Sequence, residues 1–450
     1  MLPMTAKRRA SRHPERSEGS PGCRADLKHP SNQHCAKSGR SFTASRMTCG
    51  GTAWRNWPVQ TWVAFFLAAT LLALPLSSSA KSILIVASLG LIVFSPVYRR
   101  DLLAVISQPW CKAALLLFFV AVLASIWGPA TLREKMNEIE KYSKLLYLPI
   151  LAVGFRDAYA RHLGLHGFLL AMLITFVVST LMYAGVYSLN DVEAGGIFRN
   201  HIMTGYMMAF AAYLSGLLFY QQRGKMRILY AVLTALFSYH VLFVNNGRTG
   251  YVVYLLLLVL LMLQLFSWRQ AWVGILLGCT LVVVTFYYSP VMHDAVNHAV
   301  SDYHLYKNNE KDTAIGYRLQ FHDYAYNLFK RHPWVGNGAA SFSHIYHEEN
   351  PIPTRGTKLM EPHSQYWLVA SEFGLLGCFA LALFLASLFV SSWRLTSLRP
   401  VALAVLLPFL AGNLSDSLLY YSGTGYFFIL FMALCFGSES QTSTDATDYV

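Results

Sequence analysis

The chain has 450 residues, of which 55% are hydrophobic, 14% aromatic and only 13% charged, and its mean hydropathy is +0.39. Soluble domains carry roughly a quarter charged residues, so this composition argues against a soluble enzyme and indicates a membrane protein. The net charge of +13 would suit a nucleic-acid partner, but its distribution argues against one. Residues 1–56 hold 11 Lys and Arg against 3 Asp and Glu, and the remaining excess is spread over short loops.

The N-terminal segment, residues 1–56, has no apolar periodicity. Its stretch KRRASRHPERSEGSPGCRADLKHPSNQHCAKSGRS is polar and contains Ser and Pro, which is typical of disordered chain. No apolar core follows the early charges closely, so the segment does not match a signal peptide. Met47 lies just before the first apolar run, and we expect residues 1–46 to be an upstream extension with Met47 as the native start.

Apolar runs long enough to span a bilayer, about 17–25 residues, follow one another from residue 57 onwards. They predict an all-α polytopic membrane protein with about 12 transmembrane helices. Nine of these lie within residues 57–289 and three within residues 365–437, and a cytoplasmic tail follows at 438–450. The candidate segments are about 59–77, 82–98, 112–128, 143–155, 164–186, 201–221, 226–244, 249–267, 271–289, 365–391, 400–420 and 422–437.

The basic residues predict the orientation of these helices, because cytoplasmic loops carry an excess of Lys and Arg. With the basic N-terminus in the cytoplasm, every second connection is basic and has few acids. The 129–142 loop on the opposite side mixes both signs of charge. The basic connections contain Arg99 and Arg100, Arg156 and Arg161, Arg223, Lys225 and Arg227, Arg269, and Arg394 and Arg399.

One connection is far longer than the others: residues 290–364, between the ninth and tenth predicted helices. By the same count it lies outside the cytoplasm, and its length and its polar, aromatic and His-rich composition indicate a functional loop. The stretch AIGYRLQFHDYAYNLFKRH predicts an amphipathic helix near the membrane surface. The sequences GNGAA and PIPTRG predict turns.

His363 lies directly before the tenth apolar segment, in EPHSQYWLVASEFGLLG. A histidine changes charge near neutral pH and could take a proton from a hydroxyl group, and Glu361 could orient its ring. The alternative is an ordinary interfacial histidine. Glu372 lies inside the apolar run, where a carboxyl group is costly, and this placement predicts a polar partner within the bundle.

Several basic residues lie at the outer ends of predicted helices or in the long loop. Arg248 lies in VNNGRTGYVVY and Arg318 in GYRLQFHDYAYNLF, while Arg199 and His201 lie in GGIFRNHIMTGY. Arg248 could instead extend toward lipid headgroups, and for Arg199 a structural role is favoured. Arg318 could instead form a salt bridge with a loop acid such as Asp323 or Glu310.

Metal ligands and disulfides are not indicated. The seven cysteines have neither metal-ligand spacing nor a disulfide pattern, and no Asp-x-Asp is present. Two polar clusters remain as metal candidates. They are weak candidates, because polar loops often gather such residues by chance. They are Asp191 with Glu193, and His344 with His347, Glu348 and Glu349.

Three short motifs resemble the O-antigen ligase/polymerase superfamily. They are His363-Ser364-Gln365 followed by SEFGLLG at 371–377, KRHPWVGNGAASF at 330–342, and NNGRTG at 245–250. The resemblance extends over about residues 57–437 and includes the helix count and the long outer loop. Ser364 stands where the family pattern more often has Asn, which leaves the histidine unaffected.

The resemblance implies a GT-C-like glycosyltransferase of the bacterial inner membrane, with the active site facing the periplasm. The donor would be a glycan linked to undecaprenyl diphosphate, and the acceptor a sugar of the lipid A core. Family members use a loop histidine as base and two arginines on the diphosphate, and by position these are His363, Arg248 and Arg318. The auxiliary candidates are Arg199, His201, Glu361 and Glu372.

The chemistry is consistent with this assignment. A lipid diphosphate is an activated leaving group, and forked guanidinium donors can neutralise the charge that develops on it. A base that deprotonates the acceptor hydroxyl contributes about 10²–10⁴-fold. A single displacement at the anomeric carbon inverts its configuration and requires no metal or cofactor.

Other functions share parts of this pattern. A glycan polymerase or a protein O-oligosaccharyltransferase of the same superfamily has the same architecture, although the protein-directed enzymes commonly carry an extra C-terminal region. A polysaccharide or lipid transporter is less consistent, because transporters place ionisable residues near the membrane centre. Here the candidate residues gather at one face.

Overall fold

The computed structural model of the chain describes residues 58–186 and 193–438. Every regular element in these two ranges is helical, as the predicted all-α class requires. The expectations for residues 1–56, for Met47 and for the tail beyond residue 438 lie outside the described residues. The same holds for Asp191, Cys23, Cys35 and Cys49.

Sixteen α-helices make up the described part of the chain. Ten precede residue 290: α1 (Val59–Leu76), α2 (Ser78–Phe94), α3 (Arg99–Ile106), α4 (Pro109–Ala124), α5 (Leu132–Gly154), α6 (Ala158–Tyr183), α7 (His201–Gln221), α8 (Gly224–Tyr239), α9 (Arg248–Leu265) and α10 (Trp268–Tyr288). Six follow: α11 (Pro290–Lys307), α12 (Ala314–Arg331), α13 (Ser341–Glu349), α14 (Gln365–Arg394), α15 (Arg399–Gly412) and α16 (Ser422–Phe436). Two 3-10 turns (Pro96–Tyr98, Ala194–Gly196) and a π-helix (His240–Val244) complete the set.

Each of the twelve predicted apolar segments overlaps one of these helices. Among the described helices, seven are long and apolar enough to cross a membrane: α1, α6, α7, α8 with its π-helix, α9, α10 and α14. An eighth span would be α2 taken together with the helix 96–106, from which it is bent by 73°. The shorter apolar helices are α4, α15 and α16. The protein is therefore an all-α polytopic membrane protein, and the number twelve stays a prediction.

Two predicted boundaries differ from the structure. The 129–142 segment is not a loop, because α5 begins at Leu132 and continues through it. Thr131 and Glu134 form a capping box at this helix start, which satisfies free N–H groups that hydropathy does not register. In the second case α15 ends at Gly412, well before residue 420, so the polar sequence around Asp416 forms a turn.

The core of the membrane part is built around α7 and α16, which are buried along most of their length. Helix α7 packs against α8 and α9, α16 packs against α5 and α15, and α1 packs against α6. Helix α10 is different, because large apolar side chains such as Leu276, Leu277 and Tyr287 are exposed along it. An exposed apolar helix face is what contact with lipid requires.

The long connection between α10 and α14 is ordered by its own apolar cluster. The predicted amphipathic stretch forms α12, which buries Phe321, Tyr324, Ala325 and Leu328 on one face at helical spacing. These side chains pack against residues of α13 and against Leu368 near the start of α14. The cluster therefore fixes α12 against the end of α14 that follows His363.

Helix α14 is broken at Gly374, where φ is +62°. Beyond this break the N–H groups of Leu375 and Leu376 donate to the carbonyls of Pro333 and Trp334, at 2.8 and 3.1 Å. On the other side of the break, the carbonyl of Glu372 accepts from the N–H of Gly338 at 2.8 Å. The loop segment 333–338 thus completes the hydrogen bonding of the broken helix.

Candidate active site

His363 occupies a tight turn directly before α14. Its backbone has φ of +54°, a left-handed conformation that is uncommon for a residue with a side chain. The N–H of His363 donates to Oε2 of Glu361 at 2.6 Å, which stabilises the turn. Ser364 then caps α14 through the N–H of Trp367. Such strained positions cost about 1–3 kcal/mol and cluster at functional sites.

The imidazole of His363 has one nitrogen bound and one free. Its Nδ1 lies 3.1 Å from Oδ1 of Asp416 and 3.1 Å from Oε1 of Glu361. A carboxylate only accepts hydrogen bonds, so the tautomer with the proton on Nδ1 is the one that satisfies both contacts. Nε2 makes no hydrogen bond to any described residue. In this tautomer Nε2 has a free lone pair and can act as a base.

The two carboxylates beside His363 are almost fully buried, with side chains 2% and 4% exposed for Glu361 and Asp416. Glu361 accepts hydrogen bonds from the hydroxyl groups of Ser417 and Tyr421, both at 2.6 Å. Oδ2 of Asp416 has no hydrogen-bond donor among the described residues, but Nη2 of Arg318 lies 4.0 Å from it. Buried charges require such partners.

Tyr421 lies between α15 and α16, at the edge of this cluster. Burial and the nearby Glu361 carboxylate raise the pKa of the Tyr421 hydroxyl group well above its ordinary value. The group therefore keeps its proton at neutral pH and donates to Glu361.

Three residues on one face of α12 reach the His363 turn. Arg318, Phe321 and His322 are three and four positions apart, so they point the same way. The ring of Phe321 stacks on the His363 ring with centroids 5.8 Å apart. Burial lowers the pKa of His322, and its Nε2–H donates to the His363 carbonyl at 3.2 Å. Helix α12 thus positions the turn and brings a guanidinium group to it.

Arg248 begins α9 and lies in a different pocket. Its guanidinium group is 3.4 Å from Oδ2 of Asp302 on α11. It lines a cavity of about 410 Å³ together with Asn246, Asp294 and His298. Among the described residues, no contact joins Arg248 to Arg318 or to the His363 cluster.

The auxiliary candidates have mainly structural partners. Arg199 donates to the Ser78 hydroxyl group and to the Leu74 carbonyl, which ties it to the α1–α2 junction. His201 faces Glu193 at 3.4 Å. None of these contacts involves the His363 cluster.

Glu372 interacts with both the loop and the bundle. Its Oε1 accepts the backbone N–H of Phe342 at 3.2 Å, so the hydrogen-bond partner comes from the long connection, while Lys141 of α5 acts on its charge. Glu361, in contrast to the other three auxiliary candidates, contacts His363 directly.

The structure brings possible metal ligands together at a place that the sequence did not indicate. Glu361, His363 and Asp416 place their ligand atoms within 4.8 Å of one another, a spacing that a cation could use. In the loop cluster, His344 pairs with Glu134 and Glu348, whereas Arg331 and Tyr324 bind Glu349. These acids therefore already have protein partners.

Sequence reasoning did not identify Asp416, Ser417, Tyr421 or His322. The first three lie in NLSDSLLYY: Asp416 and Ser417 fall inside the predicted span 400–420, and Tyr421 is the one position between it and the span 422–437. The signal was available, since Asn413, Ser415, Asp416 and Ser417 interrupt the apolar run within five positions. A polar group of this size is costly in lipid and predicts a turn or a site.

Comparison with known proteins gives independent evidence on the family of the chain. No curated protein matches the chain. Residues 231–382 match the family model described as O-Antigen ligase. This segment runs from α8 into α14 and contains Arg248, Arg318, His363 and Glu372, whereas Asp416 lies beyond it. The match confirms the resemblance to the O-antigen ligase/polymerase superfamily, whose members are glycosyltransferase-like ligases and polymerases acting on lipid-linked glycans.

Proposed function

We propose that the protein is an O-antigen ligase, which transfers a glycan from undecaprenyl diphosphate to a sugar of the lipid A core. The reaction takes place at the periplasmic face of the bacterial inner membrane. The observation that carries this proposal is the half-buried imidazole of His363, with Nδ1 held by two buried carboxylates and Nε2 free. The family match over residues 231–382 supplies the class of reaction.

In the proposed reaction Nε2 of His363 takes the proton of the acceptor hydroxyl group. The oxygen then attacks the anomeric carbon of the donor sugar, the bond from that carbon to the diphosphate breaks, and undecaprenyl diphosphate leaves. The configuration inverts because there is one displacement. As the imidazole becomes positively charged, Asp416 and Glu361 stabilise it, which is the role a carboxylate has beside a catalytic histidine.

Arg318 and Arg248 bind the diphosphate in this scheme. Arg318 lies 4.0 Å from Asp416 and its side chain is 30% exposed, so part of its donor fork is free for the donor substrate. Arg248 lines the cavity of about 410 Å³ described above, and its only ion-pair partner among the described residues is Asp302.

The decisive experiment is transfer in liposomes that contain purified protein, undecaprenyl diphosphate-linked glycan and lipid A-core. Wild-type protein is expected to form the ligated product. The His363→Ala variant is expected to lose at least about 10²-fold in rate, because the base is absent, while it still inserts into the membrane. Near-normal transfer by His363→Ala would contradict the assignment of the base.

Deletion of the gene distinguishes a ligase from a polymerase. Loss of long-chain lipopolysaccharide while lipid-linked polymer persists is the result expected for a ligase. A core capped with a single repeat unit would instead identify a polymerase. Unchanged lipopolysaccharide together with a glycosylation defect in proteins would identify a protein O-oligosaccharyltransferase.

The diphosphate assignment has its own test. Arg318→Ala and Arg248→Ala are each expected to raise the KM for the donor about 10-fold or more, since a charge-assisted hydrogen bond contributes about 1.5–3 kcal/mol. Arg355→Ala, an exposed arginine of the same loop, is the matched control and should leave donor use unchanged. Donor kinetics unaffected in both variants would remove these arginines from the site.

A further inference from the structure

A second cavity adjoins the His363 cluster. It has a volume of about 440 Å³ and lies between α5 and the start of α16. Its walls include the tyrosines Tyr420, Tyr421 and Tyr426 and the charged side chains Glu140 and Lys141. Aromatic rings combined with a few polar groups are typical of a ligand site.

Lys141 is the unusual residue of this cavity. Its Nζ lies 3.4 Å from the centre of the Tyr420 ring, and it forms no hydrogen bond or ion pair with any described residue. Burial lowers the pKa of Lys141. An ammonium group has three donors, and leaving them unsatisfied in a partly dry environment is costly. An anionic ligand would satisfy them.

The neighbouring lysine Lys144 has a different role. It is buried, and its Nζ donates to the carbonyls of Leu419, Tyr420 and Tyr421 at 2.6, 3.0 and 3.2 Å. All three of its donors are therefore used to hold the segment that carries the tyrosines. Lys144 therefore has no donor left for a ligand, whereas Lys141 keeps free donors.

The charges around the cavity are mixed. Lys81 adds a third ammonium group, 3.9 Å from the centre of the Tyr426 ring. The carboxyl groups of Glu138, Glu140, Glu361 and Glu372 oppose these charges. Glu361 and Glu372 accept hydrogen bonds from other groups, so the donors of Lys141 stay open to an anion in the cavity.

The cavity is joined to the proposed base by two side chains. Tyr421 lines the cavity and donates to Oε1 of Glu361 at 2.6 Å. The same Oε1 lies 3.1 Å from Nδ1 of His363. Arg318 reaches the cluster by another route, through Asp416. Since the arginines are assigned to the donor diphosphate, an anion at Lys141 belongs to the other substrate.

We propose that this cavity binds an acidic saccharide unit of the acceptor, with the tyrosine rings against the sugar and Lys141 on its phosphate or carboxylate group. The inference rests on the proposed function and names the chemical class that the acceptor site selects. The segment 420–422 then places the acceptor beside the cluster that deprotonates it.

Steady-state kinetics in liposomes of neutral lipid test the proposal, with lipid A-core used before and after enzymatic removal of its phosphates. Lys141→Gln is expected to raise the KM for the phosphorylated acceptor about 10- to 100-fold, the loss expected for one charge-assisted hydrogen bond, and to leave the donor KM unchanged. With the dephosphorylated acceptor, wild type and variant should be equal. Lys135→Gln, on the same helix but outside the cavity lining, should behave as wild type.

Three results would overturn the proposal: an unchanged acceptor KM in Lys141→Gln, an equal rise in the donor KM, or the same loss with both acceptors. A direct binding measurement separates this inference from the proposed reaction. Phosphorylated and dephosphorylated lipid A-core are titrated against wild type, Lys141→Gln and His363→Ala in neutral nanodiscs.

A binding preference for the phosphorylated form that is lost only in Lys141→Gln supports the cavity even if no glycan is transferred. Glycan transfer without a binding preference for the phosphorylated acceptor would refute the proposed role of the cavity, but it would not contradict the proposed reaction. If phosphatidylglycerol in the nanodisc removes the preference in wild type but has no effect on Lys141→Gln, the site binds the membrane surface and the proposal fails.

Discussion

Nδ1 of His363 and Oδ1 of Asp416 lie 3.1 Å apart, although 53 positions separate the two residues in the chain. Asp416 belongs to the turn between α15 and α16, and His363 to the turn that precedes α14. The pairing therefore depends on the packing of α14 against α15. A histidine held by a carboxylate in this way has a fixed tautomer and orientation.

Replacement of Asp416 by Asn tests this pairing. The Asp416→Asn variant keeps the shape of the side chain, but its amide is neutral, so Glu361 alone is left to stabilise the positive charge that develops on the imidazole. We expect kcat to fall about 10²-fold or more, with the donor KM little changed and the pH profile of kcat altered. The exposed Asp323→Asn on α12 is the control, and wild-type kcat in Asp416→Asn would refute the pairing.

Substitution of Gly338 tests the contact between the loop and the membrane helices. At Gly338 φ is +99°, and an added Cβ would lie 2.2 Å from Cα of Gly128. We expect Gly338→Ala to lower the free energy of unfolding by about 2–4 kcal/mol, from backbone strain and overpacking together.

Gly356 is the matched control, because its φ is +83° but nothing lies within 4 Å of its added Cβ. Gly356→Ala should cost only the backbone strain, about 1–2 kcal/mol. Thermal unfolding followed by tryptophan fluorescence in detergent measures both. Equal losses in the two variants would mean that the close approach to Gly128 contributes nothing.

The contact between α12 and α13 should depend on pH. Arg331 binds Glu349 at 2.6 and 3.1 Å, and the Tyr324 hydroxyl group donates to it at 2.8 Å. These bonds, above all that from Arg331, lower the pKa of the Glu349 carboxyl below its ordinary value. The stabilisation is therefore present above the unfolded-state pKa and is lost as pH falls through the lower folded-state pKa.

We expect the unfolding temperature of the wild type to fall more steeply on acidification than that of Glu349→Gln, which has lost this carboxylate. Glu310→Gln, in an exposed part of the same connection, should keep the wild-type slope. A Glu349→Gln variant with the wild-type slope would show that the ion pair does not contribute to the pH dependence.

Removal of divalent cations tests the metal-independent chemistry. Glu361, His363 and Asp416 have ligand atoms within 4.8 Å of one another. A divalent cation bound there is the alternative to the metal-independent mechanism. In the proposed mechanism the carboxylates orient the imidazole and the guanidinium groups stabilise the leaving diphosphate. Transfer should then be unchanged by EDTA. Loss of transfer that Mg²⁺, Mn²⁺ or Ca²⁺ restores would contradict the mechanism.

The sequence predicts the helical class and much of the cluster around the proposed base. His363 and Glu361 could be identified because they directly precede an apolar run, and Arg318 because the resemblance to the O-antigen ligase/polymerase superfamily pointed to it. Asp416 could not, since a count of apolar residues extended the span through a turn that only begins after Gly412. The hydrogen bond from the loop to Glu372 was equally hidden, because hydropathy does not show which loop segment packs against an apolar helix.

Arg248 illustrates a different limit. Its motif and its helix start are readable from the sequence, and α9 begins at this residue. The distance between the guanidinium groups of Arg248 and Arg318 depends on how α9, α11 and α12 pack. Local sequence patterns carry no information about this packing. The structure places Arg248 beside Asp302 and Arg318 beside Asp416.

The break in α14 has a mechanical consequence. Segment 333–338 bonds to the backbone on both sides of the break, because it accepts from the N–H groups of Leu375 and Leu376 and donates to the carbonyl of Glu372. The start of α14, which carries the imidazole, is therefore coupled to this segment, and a displacement of the segment would shift the proposed base.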